Sequence, residues 1–171
     1  MHSGNVLFTD FGLAFDFTDA EGSTTVNTVN GMTPKYCAPE VANHEPRNTS
    51  SDIWSLGVVF LEMAAVLKGR AAEFIYEFLS EHGSRQAYVR TNPDGLRELL
   101  ANLKETSYPT DNVVLIWIQG MLMIQQILRP TAAALVASIT AARESGNRGL
   151  CGICCMSPDD LLDDYDKLDI T

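Results

Sequence analysis

Apolar residues recur at helical spacing along most of the chain, in stretches separated by residues that start or stop helices. The first stretch runs from Asp52 to Leu67, with Ser50 or Ser51 as the candidate cap and Gly69 as the expected end. Four more helices are predicted, over 70–81, from Pro93 onward, over 111–127 and from Pro130 to Ala142. This part of the chain is therefore predicted to be almost entirely α-helical.

The two ends of the chain differ from this helical part. Asn5 to Thr9 is typical of a short β-strand, and a long polar loop over 13–36 follows it. The last fifteen residues carry six aspartates, Asp159, Asp160, Asp163, Asp164, Asp166 and Asp169. We predict a mainly α domain over 5–144 with one short N-terminal β-strand, then a solvated, disordered tail over 145–171. An acidic docking tail is the alternative.

Composition excludes several classes of function. The net charge of −10 disfavours a nucleic-acid partner or an anionic membrane surface. The longest apolar runs, 56–67 and 113–124, are shorter than a bilayer requires, so no transmembrane segment is predicted. The chain starts without the basic and apolar regions of a signal peptide, and its four cysteines do not form a disulfide framework. These features predict an intracellular, cytoplasmic setting.

Four short motifs follow one another in a fixed order, and together they are far more specific than any one alone. They are Asp10-Phe11-Gly12, Ala38-Pro39-Glu40, Asp52-Ile53-Trp54-Ser55-Leu56-Gly57 and Leu128-Arg129-Pro130-Thr131. In this order they resemble the C-terminal lobe of eukaryotic-type Ser/Thr protein kinases, over residues 5 to 142. The resemblance implies ATP-dependent protein phosphorylation, with ATP and Mg²⁺ as cofactors and a protein as substrate.

The same resemblance assigns an activation segment to residues 10–40. Asp10 would hold Mg²⁺, Phe11 would pack beneath it, and Gly12 would let the backbone flip. Four hydroxyl residues in the middle of the segment are candidate phosphorylation sites or, alternatively, ordinary polar loop residues: Ser23, Thr24, Thr25 and Thr28.

The end of this segment resembles the substrate-contacting loop of the family, which here comprises Thr33, Tyr36, Ala38, Pro39 and Glu40. By resemblance Thr33 would touch the catalytic Asp, which favours Ser/Thr over Tyr specificity. Glu40 would pair with Arg129 and tie the loop to the C-terminal helices, and this role is structural.

Three further residues have structural roles by resemblance. Asp52 would accept backbone N–H bonds from the catalytic loop, and without those donors burial would raise its pKa. Trp54 and Gly57 belong to the central helix around which the lobe packs. Part of the usual cover of that helix would lie upstream of Asp10, so an uncovered apolar patch is expected, with aggregation or a partner as its consequence.

The chain also departs from the family. It contains no His-Arg-Asp catalytic loop, no Gly-rich loop and no strand Lys with its helix Glu, and only nine residues precede Asp10. We therefore expect the chain alone to be inactive, although its family-level activity is Ser/Thr phosphorylation. The alternative is a non-catalytic, pseudokinase-like module that binds a protein partner through its helical lobe.

A cysteine cluster remains outside the resemblance. Cys151 and Cys154 have the two-residue gap of zinc and redox sites, and Cys155 follows them. The sequence offers no nearby fourth ligand for a tetrahedral metal. We therefore expect incidental thiols, with metal binding and lipidation as alternatives.

Overall fold

The computed structural model describes residues 33–71, 73–105 and 112–144. Within these ranges the chain is helical, with two short 3-10 turns at Val89–Thr91 and Gln126–Leu128. The six α-helices are α1 (Pro39–Ala42), α2 (Thr49–Leu67), α3 (Phe74–Glu81), α4 (Pro93–Glu105), α5 (Val113–Met121) and α6 (Ala132–Glu144). The prediction of a mainly α fold is confirmed, whereas the predicted strand at 5–9 lies outside the described residues.

Helix α2 is the central element, and local chemistry sets both of its ends. Its cap is Asn48, whose side chain accepts a hydrogen bond from the N–H of Ser50 at 2.8 Å, so the prediction of Ser50 or Ser51 as the cap was wrong. At the other end Gly69 adopts a φ of +78°, which favours glycine, and its N–H binds the carbonyl of Val66 at 2.9 Å. The next N–H, from Arg70, reaches back to the carbonyl of Ala65 at 3.0 Å and completes a Schellman motif.

Helix α2 packs along α5, and this contact forms the centre of the core. From α2, Trp54 and Leu61 are fully buried, and from α5, Leu115 and Ile118 are fully buried. The hydrophobic cluster extends to α3 and α4, so one core joins α2, α3, α4 and α5. Trp54 is therefore a core residue of this helical lobe.

The composition of α2 alone would also allow a membrane span. It is 19 residues long with a mean hydropathy of 1.5. In the fold, 44% of that apolar window is buried, and the helix carries Asp52 and Glu62. The apolar character of α2 is accounted for by its place at the centre of a helical lobe, because a core helix meets the same criteria of length and composition.

Helices α2 and α5 approach each other closely at Gly57. A Cβ atom built there would lie 2.9 Å from the Cβ of Met121 and 3.0 Å from Cδ2 of Leu122. Because both neighbours are buried, neither can move away without disturbing the core.

Gly57→Ala is therefore expected to destabilise the chain by about 1–3 kcal/mol through overpacking. Gly69→Ala is the matched control, because no atom lies within 4 Å of its Cβ position and only its positive φ opposes the substitution. That control is expected to cost about 1 kcal/mol or somewhat more. Urea denaturation of both variants measures the two values. Equal stability of Gly57→Ala and the wild-type chain would contradict the close approach.

The connection between α3 and α4 is organised by one buried amide. Asn92 is fully buried, and its Nδ2 lies within hydrogen-bonding distance of three backbone carbonyls, those of Leu79, His82 and Gln86, at 2.8, 3.0 and 3.0 Å. Its Oδ1 accepts from the backbone N–H groups of Ser84 and Gly95, at 2.9 and 3.0 Å. Gly83 and Gly95 leave space for this amide because they have no side chain. A Cβ atom at either position would lie within 2.7 Å of an Asn92 side-chain atom.

Three predicted helix bounds differ from the observed ones. Helix α3 begins at Phe74 instead of residue 70, and α6 begins at Ala132, where the Thr131 Oγ1 accepts from the N–H of Ala134 at 3.2 Å. Helix α5 ends at Met121, although the apolar run continues to Ile127. The continuation is a loop whose apolar side chains are partly solvent-exposed, with Ile127 at 89%. The prediction of a uniformly buried helix over 111–127 was therefore wrong.

Candidate functional site

The segment from Thr33 to Ala38 forms a tight turn that leads into α1, with Pro39 as the first helical residue. The N–H of Tyr36 binds the carbonyl of Thr33 at 3.1 Å and closes the turn. The carbonyl of Tyr36 accepts a hydrogen bond from the Oγ of Ser55 in α2 at 3.0 Å. Ala38 is buried, whereas Thr33 is exposed. The segment is therefore anchored at its C-terminal end, whereas its first residue is exposed.

A polar cluster fastens this turn to α2 and α3. The Nζ of Lys35 lies 2.7 Å from Oε1 of Glu62 and 4.4 Å from the ring centre of Tyr76. The hydroxyl groups of Tyr36, at 3.2 Å, and of Tyr76 both donate hydrogen bonds to the same carboxylate. The hydrogen bond with Glu62 raises the pKa of Lys35, so this lysine stays charged at neutral pH. Burial, and then the bond to Glu62, raises the pKa of Tyr76.

The loop before α4 contacts the same turn from another side. The guanidinium of Arg90 donates a hydrogen bond to the carbonyl of Pro34 and lies 4.6 Å from the ring centre of Tyr88. Burial raises the pKa of the Cys37 thiol, and the charge of Arg90 partly opposes that effect. The Cys37 thiol therefore stays protonated at neutral pH, which makes it unsuited to act as a nucleophile.

Glu40 and Arg129 form a buried bidentate ion pair. The NH1 nitrogen lies 2.6 Å from Oε1 and the NH2 nitrogen 2.7 Å from Oε2, and the two side chains are 0% and 6% exposed. Ser51 Oγ also donates to the Glu40 carboxylate, at 2.8 Å. The pair joins α1 to the loop before α6, so the substrate-loop region is held to the helical core by charge-assisted bonds.

All five N–H donors of Arg129 have a partner. Besides Glu40, they bind three backbone carbonyls, those of Met123, Ser50 and Ile124, at 2.8, 2.9 and 3.2 Å. The guanidinium carbon also lies 5.0 Å from the ring centre of Trp54. The carbonyls of Met123 and Ile124 belong to the loop that follows α5, so Arg129 also fixes the backbone of that loop. Because every N–H donor of Arg129 is hydrogen-bonded, the free-energy cost of burying its charge is largely offset.

An open hollow of about 260 Å³ lies between the turn and the first turn of α2. Its wall includes Thr33, Arg47, Ser51, Asp52 and Ser55. Although Asp52 is solvent-accessible, the surrounding protein raises the pKa of its carboxyl, and the charge of Arg47 opposes the rise.

The two carboxylates are expected to respond to acid in opposite directions. Burial alone would raise the pKa of Glu40, but hydrogen bonds from Arg129 and Ser51 outweigh it and hold that pKa below its ordinary 4.5. The stabilisation from Glu40 is therefore complete above pH 4.5 and is lost as the pH falls through its lower folded-state pKa. Asp52, whose pKa is raised above 3.8, contributes stability below that pH and loses it as the pH rises through its folded-state pKa.

Urea midpoints between pH 7 and pH 3 test both directions. The wild-type chain is expected to lose stability on acidification, and Asp52→Asn is expected to lose it more steeply because it lacks the opposing group. Glu40→Gln is expected to show a shallower slope than the wild type. Parallel slopes for all three chains would contradict the assignment.

Several residues singled out from the sequence lie outside the described residues: Asp10, Phe11, Gly12, Ser23, Thr24, Thr25, Thr28, Cys151, Cys154 and Cys155. Within the part of the chain that the structure describes, no group of three or more His, Cys, Asp or Glu side chains is placed to hold a metal ion. The described residues therefore do not by themselves form a site for Mg²⁺. Among the described residues that line the hollow, Asp52 is the only one with a carboxylate.

Comparison with known proteins agrees with the order of the motifs. Residues 1–138 match the profile of the protein kinase domain. The chain is 45% identical to serine/threonine-protein kinase Sgk2 of Homo sapiens over 60 residues, which are 35% of this chain and 16% of that protein. It is 33% identical to serine/threonine-protein kinase AtPK1/AtPK6 of Arabidopsis thaliana over 99 residues, 58% of this chain and 19% of that protein. No solved structure matches.

The chain thus aligns with less than a fifth of the length of either relative. The family match itself spans well over half of the 171 residues, and it includes both Glu40 and Arg129. The chain belongs to the protein kinase domain family.

Proposed function

We propose that residues 5–144 form the C-terminal lobe of a Ser/Thr protein kinase domain, including its substrate-contacting loop. We also propose that the 171-residue chain alone does not transfer phosphate. The observation that carries the proposal is the buried Glu40–Arg129 pair, which holds the turn at 33–38 against the helical core. Such a support is useful to a segment that must present a protein substrate in a fixed position. Residues 5–144 then make up the kinase-like domain and 145–171 its tail.

Two features of the proposal concern residues named from the sequence. Thr33 is exposed and lines the same hollow as Asp52, which suits a residue that faces a catalytic loop. ATP and Mg²⁺ are the expected cofactors of the complete domain, with Asp10 as the metal-binding carboxylate. The 171 residues lack the His-Arg-Asp base and the Gly-rich loop, and positioning by one metal ligand is insufficient for phosphoryl transfer.

A phosphotransfer assay tests the proposal in two stages. The purified chain, incubated with ATP, Mg²⁺ and a generic Ser/Thr peptide, is expected to give no transfer above the rate without protein. Sequence in frame upstream of Met1 is then examined for His-Arg-Asp and a Gly-rich loop. If both are found, the longer polypeptide is expected to phosphorylate the peptide, and Asp10→Asn is expected to abolish that activity. If the 171-residue chain transfers phosphate steadily, and Asp10→Asn abolishes that transfer, the proposal that the chain alone is inactive is wrong.

A non-catalytic interaction module is the second candidate function. It is favoured by exposed apolar side chains on the second half of α2, namely Met63, Val66 and Leu67, at 50%, 52% and 85% exposure. Two results together would favour this alternative. The upstream sequence would lack the catalytic motifs, and the chain would avoid self-association only in the presence of a defined protein partner. Sedimentation velocity of the purified chain separates the two expectations.

A further inference from the structure

Arg90 lies in the connection between α3 and α4, outside the four motifs that carry the resemblance to the family. Its guanidinium donates a hydrogen bond to the carbonyl of Pro34, inside the turn at 33–38. The same group lies 4.6 Å from the ring centre of Tyr88, so two contacts hold its plane beside the turn. Within the described part of the chain Arg90 makes no other hydrogen bond and no ion pair. Its remaining N–H donors are therefore available to a ligand.

The carboxylate that α2 brings to this turn is already neutralised by the turn itself. Glu62 accepts the ammonium group of Lys35 at 2.7 Å and the hydroxyl groups of Tyr36 and Tyr76. A basic side chain of a substrate would have to displace Lys35 before it could reach this carboxylate. The contact between Lys35 and Glu62 therefore leaves no free negative charge on this side of the turn.

The other charges around the turn also occur in opposing pairs. The hollow beside the turn contains Arg47 and Asp52, and the positive charge of Arg47 acts on the Asp52 carboxyl. Glu40 is buried in its pair with Arg129. Among the described groups around the turn, Arg90 is therefore the one whose charge has no opposing partner.

We propose that Arg90 binds an acidic side chain of the protein substrate, which makes peptides with Asp or Glu beside the acceptor residue the substrate class of this domain. The inference rests on the proposed function, because it takes the turn at 33–38 as the substrate-contacting loop. A guanidinium presents paired N–H donors that match the two oxygens of a carboxylate. Because Pro34 and Tyr88 already hold this guanidinium in place, little side-chain entropy is lost when the substrate binds.

The net charge of the chain makes such a preference easy to recognise as local. A net charge of −10 attracts basic peptides and repels acidic ones at long range. Attraction by net charge alone would therefore favour a basic peptide. A preference for an acidic peptide must come from a local contact that outweighs this repulsion.

Titration of the 171-residue chain by nuclear magnetic resonance tests the proposal without requiring phosphate transfer. The Nε–H signal of Arg90 is assigned by its absence from the spectrum of Arg90→Gln. Three peptides are added that contain the same serine and differ at three flanking positions, which are all Glu, all Gln or all Lys.

The peptide with Glu is expected to shift the Arg90 signal and to bind at least about tenfold more tightly than the peptide with Gln, because charge-assisted hydrogen bonds are strong. The peptide with Lys is expected to leave the Arg90 signal unshifted. Equal affinities for the Glu and Gln peptides, no binding of the Glu peptide, or a shift caused by the Lys peptide would overturn the proposal.

Two arginine variants show whether the preference depends on Arg90. In Arg90→Gln, the backbone N–H signal of Lys35 reports binding instead, and the difference between the Glu and Gln peptides is expected to fall below about twofold. Arg97→Gln is the matched control, because Arg97 is exposed on α4 and pairs with Asp94. It is expected to keep the full difference of about tenfold, since an exposed ion pair contributes little. An equal loss in both variants, or an unchanged preference in Arg90→Gln, would contradict the role of Arg90.

This proposal and the proposed function fail in different ways. If a longer polypeptide with the catalytic motifs phosphorylates all three peptides at equal rates, the proposed function stands and the acidic preference is wrong. If that polypeptide phosphorylates none of them, but the preference that depends on Arg90 is still measured, the phosphorylation is wrong and the acid-binding site stands.

Discussion

Arg129→Ala is expected to destabilise the chain by about 3–5 kcal/mol, the cost of leaving a buried carboxylate without its partner. The carboxylate of Glu40 is buried, and Arg129 supplies two of its hydrogen bonds, at 2.6 and 2.7 Å. The substitution also removes the bonds to the carbonyls of Ser50, Met123 and Ile124. Urea denaturation followed by circular dichroism at neutral pH measures the loss.

Three further variants separate the causes of that loss. Arg129→Lys keeps the charge but not the planar fork, so most of the loss is expected to remain. Arg129→Met combined with Glu40→Gln is expected to cost less than the sum of its single changes, because neither charge is then left alone. Arg97→Ala is the matched control, since Arg97 pairs with Asp94 at 2.8 Å on the surface with 73% and 64% exposure. It is expected to cost less than about 1 kcal/mol, and a similar loss there would contradict the argument from burial.

Asn92→Ala is expected to cost at least about 3 kcal/mol, since each buried polar group that loses its partner costs about 1–3 kcal/mol. The substitution leaves the N–H groups of Ser84 and Gly95 without their acceptor and removes the donor to three carbonyls. It also leaves a cavity between α3 and α4. The same urea titration measures the effect.

Asn92→Asp distinguishes the hydrogen bonds from the cavity. The two side chains have nearly the same shape, but the carboxylate would turn an acceptor oxygen toward the carbonyls of Leu79 and His82. We expect a loss at least as large as that of Asn92→Ala. Asn43→Ala is the control, because Asn43 is exposed and donates one bond to Glu45 at 3.3 Å. It should lie within about 0.5 kcal/mol of the wild type. A stable Asn92→Asp chain would show that the three carbonyl contacts contribute nothing.

The fold was predictable wherever a local signal decided the structure. Pro93 and the leucine spacing after it predicted α4, and Gly69 marked the end of α2, because both signals act within a few residues. The cap of α2 was missed because Asn48 lies two residues before Ser50, outside the predicted helix start, and its side chain accepts from the N–H of Ser50. The end of α5 was missed for a different reason: the apolar run continues past Met121, whereas the carbonyls of Met123 and Ile124 lie in a loop and bind Arg129, which apolar periodicity does not predict.

In the candidate site, too, contacts between residues that are distant in sequence were the ones that local patterns did not predict. The pairing of Glu40 with Arg129 could be expected only through resemblance to a family, because the two residues are 89 positions apart. The cluster of Lys35, Glu62 and Tyr76 was not predicted at all. Its members lie on three elements, and nothing in their local sequence distinguishes them from ordinary surface residues. Contacts between distant charged groups depend on the packing of the helices that carry them, which periodicity alone does not specify.

The separation of Glu40 from Arg129 also has a consequence for the order of events during synthesis. A ribosome adds roughly 5–20 residues per second, so about 4–18 seconds pass between the addition of one partner and the other, which follows it by 89 residues. During that interval α1 and the first turn of α2 exist without the guanidinium that binds both. The turn at 33–38 can therefore reach its final position only after nearly the whole helical domain has been made.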